Sequence, residues 1–67
     1  MNNLAETDRF LTCTSVSEIT GFGRAAIYKK VASGDFPRPI KIGRASRWSQ
    51  REVGQWVEDR KAVRKAA

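Results

Sequence analysis

The chain has 67 residues, with 13 Lys and Arg against 7 Asp and Glu, a net charge of +6, one cysteine and no histidine. A chain this short supports one domain with a small core, burying only about 60% of the surface that its unfolded form exposes. A lone cysteine without histidine excludes a disulfide framework or a zinc staple within the chain, so the fold rests on packing.

The first eight residues carry no periodic pattern, and the ordered region begins at Phe10 and Leu11. Thr12, Thr14 and Ser15 are candidate N-caps before Val16 and Ile19, which stand at helical spacing and are followed by Gly21. With Thr12 as cap, Cys13, Val16 and Thr20 form one stripe with Ile19 beside it. With Ser15 as cap, Glu18 would complete a capping box. The reading favours Thr12 and leaves Ser15 open. Gly21, Phe22 and Gly23 then make a tight connection to a second helix over Arg24 to Ser33, whose inward side is marked by Ile27 and Val31. Ala25, Lys29 and Ser33 fall on the opposite side, Ala26 near one edge, and Tyr28 and Lys30 on the flanks, so the outer face is slim and basic.

Gly34 occupies the position of a left-handed C-terminal cap, and Pro37 and Pro39 forbid further helix. Ile40, Lys41 and Ile42 alternate and are expected to lie in, out and in. After Gly43 to Ser46 the return arm carries Arg47 outward and Trp48 inward, giving a two-stranded hairpin with Arg44 at or near its tip. Ser49 and Glu52 form a capping box ahead of Val53, Trp56 and Val57, which opens a third helix at about Gln50. The fold class expected is mainly α with a small β-hairpin: helix-turn-helix, two-stranded wing, C-terminal helix. The domain covers residues 9–62, between a flexible N-terminus (1–8) and a frayed tail (63–67).

Charge is distributed unevenly along this order. Residues 1–23 hold one base and three acids, whereas residues 24–51 hold eight bases against Asp35 alone. A clustered basic segment on a small domain is the footprint of a polyanion partner. In a helix-turn-helix the second helix presents its N-terminal half to base edges in the major groove of double-stranded DNA. Here that half supplies Arg24, Ala25, Ala26, Tyr28 and Lys29; an arginine can pair with guanine and an alanine methyl can meet a thymine methyl. Lys29 and Lys30 are expected on phosphate. In the wing, Ile40, Ile42 and Trp48 are expected to hold the core while Lys41, Arg44 and Arg47 face out. Arg44 is the candidate for a narrow minor groove, with Ser46 and Arg47 beside it on the backbone.

The stretch from Leu11 to Trp56 resembles the AlpA-type regulators and related phage excisionases of the MerR-like winged-helix superfamily. The likeness is carried by Thr20 and Gly21, Ile27 and Tyr28, the run Gly34 to Pro37, and Trp48, Glu52, Val53 and Trp56. It implies transcriptional regulation of prophage or mobile-element genes, a recombination directionality role in which the protein bends attachment-site DNA, or both. An integrase or other recombinase and RNA polymerase are the protein partners such roles imply. The sequence departs from the pattern at Gly23, where a serine or threonine usually caps the recognition helix, and at Ala25 and Ala26, where hydroxylated residues are commoner.

Other readings of the same residues are blander. Cys13 reads as a small buried hydrophobe, Tyr28 can pack under the wing as well as touch phosphate, and Trp48 and Trp56 read as core rather than as stacking platforms. The sequence offers no metal-ligand cluster and no phosphate-binding glycine loop, so neither an enzyme nor a cofactor is expected. The alternative function is a protein-interaction adaptor whose basic face binds carboxylates. The run MNNLAETDRF lacks the blocks of a signal peptide, and no apolar run approaches the roughly 20 residues that span a bilayer, so a cytoplasmic protein without membrane contact is expected. No dimerisation heptad is present, so a monomer that binds DNA cooperatively is expected.

Overall fold

The computed structural model of the protein describes residues 8–64, so the expected N-terminal flexibility at residues 1–7 and fraying at 65–67 lie outside the described residues. Its elements are β1 (Phe10–Leu11), α1 (Cys13–Thr20), α2 (Arg24–Ala32), β2 (Ile40–Ile42), β3 (Ala45–Ser49) and α3 (Gln50–Val63). This is the mainly helical, small-sheet architecture compatible with a winged helix-turn-helix.

Thr12 caps α1, its hydroxyl accepting from Ser15 N at 3.1 Å, and Gly21 closes the helix in the left-handed region. The turn that follows is cross-bonded: Ser17 Oγ donates to Phe22 O at 2.6 Å, Thr20 Oγ1 donates to Val16 O at 2.9 Å, and Phe22 N donates to Thr20 Oγ1 at 3.2 Å. Gly21 N donates to Ser17 O at 2.7 Å, which satisfies one of the carbonyls a helix end leaves open, and the side-chain bonds tie both polar groups of Phe22 in the turn back to α1. The other end of α2 closes in a Schellman pattern. Gly34 N donates to Val31 O at 3.0 Å and Asp35 N to Lys30 O at 2.8 Å, with Gly34 at φ 80°, where a Cβ would be strained.

The core consists of Leu11, Val16, Ile27, Phe36, Trp48 and Val53, with Cys13, Phe22, Tyr28, Val31 and Trp56 packed around it. Val16, Ile27, Val53 and both tryptophans occupy the roles their spacing predicts. Ile19 does not join the α1 stripe: it is 49% exposed at the end of that helix. Phe36, from the segment between the prolines and α2, is buried, and its ring meets Trp56 edge-on at 4.9 Å.

The sheet differs from expectation in two ways. A third strand is present, because β1 pairs antiparallel with β3 (Phe10 with Ser49, Leu11 with Trp48), giving the order β1-β3-β2. The inward and outward sides of β2 are also exchanged. Gly43, at φ 62°, and Arg44 form a two-residue turn that pairs Ile42 with Ala45, Lys41 with Ser46 and Ile40 with Arg47. Directly opposed residues share a face, so Lys41 and Ser46 lie on the side of Trp48, while Ile40 and Ile42 share the other side with Arg47. Ile40 is accordingly 39% exposed and Ile42 44% exposed. Only the base of the hairpin, at Trp48 and Ser49, is buried, and the exposed isoleucines do not anchor its tip to the core.

Candidate nucleic-acid interface

The N-terminal ends of α1 and α2 and the hairpin tip converge on one open groove. Arg24 and Tyr28 enter it from α2, and Lys41, Arg44, Ser46 and Arg47 from the wing. Six of the ten expected binding residues are therefore brought together, with four cations and no carboxylate on the walls.

Each side chain is held by its element. Tyr28 packs edge-on against Trp48, with ring centroids 5.7 Å apart, and the Arg24 guanidinium lies over the tyrosine ring at 5.2 Å. Trp48 is fixed in turn by donating from Nε1 to Pro37 O at 2.9 Å, so the groove floor is rigidly connected to the core. Lys41 Nζ donates to Ser46 Oγ at 3.2 Å across the wing, and an Arg47 guanidinium nitrogen donates to Ser46 O at 3.0 Å. Arg44 stands in the turn itself and is exposed.

Three other expected residues stay on α2 outside the groove walls: Ala25 and Lys29 are exposed and Ala26 is half-buried. Lys30 is directed elsewhere. Its ammonium lies 3.9 Å from the Asp35 carboxylate and 4.8 Å from the centroid of the Phe22 ring. It is a structural cation of the turn region, because its flank of the helix faces the loop rather than the wing.

Sequence reasoning missed Thr12, Cys13 and Thr14, which line the same groove from the start of α1. The signal in the sequence is the helix N-terminus itself, whose backbone amides face anions and which a reading of Thr12 and Thr14 as caps alone leaves unused. Gly23 opens α2 in extended geometry with no side-chain cap, as its lack of a hydroxyl requires. Amides of the first turn of α2 therefore have no side-chain acceptor from the cap position.

Asp8, the first described residue, ties down the root of the wing. Its carboxylate accepts from Ser49 Oγ at 2.6 Å, Arg51 N at 3.0 Å and Arg9 N at 2.8 Å. Ser49 Oγ meanwhile accepts from Glu52 N at 3.1 Å, so the N-cap half of the expected capping box opens α3, while the carboxylate bonded to Ser49 is that of Asp8 and not that of Glu52. The Ser49 hydroxyl first, and the Arg51 amide next, hold the Asp8 carboxyl below its usual value of 3.8.

Among the described residues no group of three or more His, Cys, Asp or Glu could hold a metal ion, and no helix is long and apolar enough to cross a membrane. No curated protein and no solved structure matches the chain. One family profile does, described as prophage CP4-57 regulatory protein (AlpA), and it matches residues 9–61, which contain every residue of the cationic groove. The chain belongs to the AlpA family of prophage regulatory proteins.

Proposed function

We propose that the protein binds double-stranded DNA in a sequence-specific manner and acts as a prophage or mobile-element transcriptional regulator, an excisionase, or both. The observation that carries this reading is the convergence of Arg24, Lys41, Arg44 and Arg47, from two separate elements, on one groove without a carboxylate. A short helix beside a projecting basic hairpin matches the width of a major groove and its bordering phosphates. In this reading Arg24, Ala25 and Ala26 meet base edges; Tyr28, Lys29 and Lys41 lie toward phosphate; and Arg44, with Ser46 and Arg47, follows the backbone into the minor groove. Lys30 contributes only through the field of the domain, given its contacts with Asp35 and Phe22.

Five to eight phosphate contacts give a log–log salt slope of about −4 to −7, and one module covers about 600–1,000 Å². So thin an interface calls for weak or moderate affinity at one site, with monomers occupying adjacent sites cooperatively. An integrase or RNA polymerase is the partner that would couple this binding to recombination or expression, in the cytoplasm where the DNA lies.

The test is selection of duplexes from a random pool by the purified protein at about 0.15 M salt. The expected outcome is enrichment of a short motif that is lost in Arg24→Ala, whereas Lys29→Ala lowers affinity about equally for all sequences and keeps the motif. Retention of every sequence alike would overturn the specific reading.

A further inference from the structure

A second concave surface lies where the end of α1 and the turn after it meet α3. Ile19, Phe22 and Val57 form an apolar floor, and Arg60, Lys61 and Arg64 follow one another along its rim. No carboxylate lines it, and it shares no residue with the cationic groove of α2 and the wing.

The floor is firm. Trp56, which also lines it, meets Phe22 edge-on at 6.2 Å and Phe36 at 4.9 Å, and its Nε1 donates to Asp35 O at 2.7 Å. Ile19 is 49% exposed although it sits on an eight-residue helix whose neighbouring Val16 is fully buried. An aliphatic held at the rim of a rigid aromatic floor is an anchor point for another apolar side chain. Lys61 pairs with Glu58 only at the exposed surface, where such a pair exchanges readily, and Arg60, although paired with Asp35 and stacked over the Trp56 ring at 5.1 Å, keeps 48% of its side chain exposed toward a further carboxylate.

We propose that this groove docks an acidic amphipathic helix from a partner protein, with apolar side chains seated on Ile19, Phe22 and Val57 and carboxylates directed at Arg60, Lys61 and Arg64. Charge complementarity selects this occupant. A second copy of the chain would bring its own excess of +6 to a cationic rim, and a nucleic acid would leave the apolar floor without a match. Since the two grooves are separate, the partner helix and a duplex can be held at once, which would let a small DNA-bound domain recruit a second protein.

The experiment titrates the full ¹⁵N-labelled chain with a synthetic peptide of about 18 residues bearing leucines at i, i+3, i+4 and i+7 and glutamates between them. Saturable shifts are expected at Ile19, Thr20, Val57 and Arg64. Ile19→Asp should weaken binding about tenfold by placing a charge on the apolar floor, and Arg64→Glu about threefold, both leaving the spectrum folded. A peptide with lysines in place of the glutamates should bind at least about tenfold more weakly. Shifts confined to Arg24, Tyr28 and Arg44 would overturn the proposal, since the carboxylates would then be imitating phosphate in the other groove. Equal binding of the lysine peptide would overturn it as well, and so would a dimer in sedimentation that Ile19→Asp dissociates, because the occupant would then be a second copy. The titration contains no DNA, so its outcome is independent of whether a duplex binds the first groove.

Discussion

The cationic groove and the groove between the 34–37 segment and α3 lie on the same small domain and use charge in opposite ways. In the first, Arg24, Lys41, Arg44 and Arg47 face open space with no carboxylate near them. In the second, Asp35, Glu52 and Asp59 line the walls beside Phe36 and Trp56, and Arg60 reaches across to Asp35. The one cation on the walls of the second groove, Arg60, is paired within the chain, whereas the four on the walls of the first have no carboxylate beside them there. The backbone follows the same division: the 34–37 segment is held by both indoles, through Pro37 O and Asp35 O, whereas the wing tip is held by its own turn and strand pairing alone. A domain of 67 residues has few elements with which to build rigidity, and here they hold the floor of the proposed DNA face through Trp48 while leaving its wing tip to strand pairing.

The largest effect expected from this division is on stability. Phe36 is 3% exposed and packs on Trp56, so Phe36→Ala should cost about 3–5 kcal/mol in chemical denaturation, most of the stability available to a domain of this size. A loss below about 1 kcal/mol would mean that the segment is not the anchor described. At the other groove, Arg44→Ala should leave stability within about 0.5 kcal/mol while weakening duplex binding and lowering the salt slope by about 1. Unchanged affinity and slope would remove the wing from the binding mode. Lys30→Ala sharpens the contrast on a single helix. It should cost up to about 1 kcal/mol of stability through its exposed contacts with Asp35 and Phe22, and change duplex affinity far less than Lys29→Ala.

The sequence reading was most reliable where local rules suffice. Thr12 and Ser49 act as caps, Gly21 and Gly34 end helices, Arg44 stands at the hairpin tip, although the return strand already begins at Ala45 and not after Ser46, and Ile27, Trp48 and Val53 are buried. It was weaker wherever a decision depended on a partner distant in the chain. Two residues, Phe10 and Leu11, are too short a run to read as a strand and become one only by pairing with β3. The alternation of Ile40, Lys41 and Ile42 is equally good in either phase, and the register with β3 decides it against the apolar pair. Lys30 looks like any basic residue on an outer helix flank until Asp35 is folded back beside it. For the site, the cationic residues were legible because charge accumulates along the segment that builds the groove. Thr12 and Thr14 were not, because they reach it from a different element.

Asp8 belongs to neither groove, and it offers the finest test of how the wing is fastened. Its carboxylate accepts from Ser49 at the end of β3 and from the Arg51 amide at the start of α3, so one ionised group joins the root of the wing to the helix behind it. These bonds depress its folded pKa below the usual 3.8, so the unfolded chain binds the proton more tightly than the folded one. The stabilisation is therefore complete above the unfolded value and is lost as pH falls through the lower folded one. Asp8→Asn keeps the size of the side chain but removes the charge, so wild type should melt higher than the variant at about pH 6, and the gap should close on acidification to about pH 2. Taking the difference between the two proteins cancels the titration of every carboxylate they share. A gap that stays constant across that range would mean that hydrogen-bond geometry alone, and not the ionised carboxylate, fastens the wing.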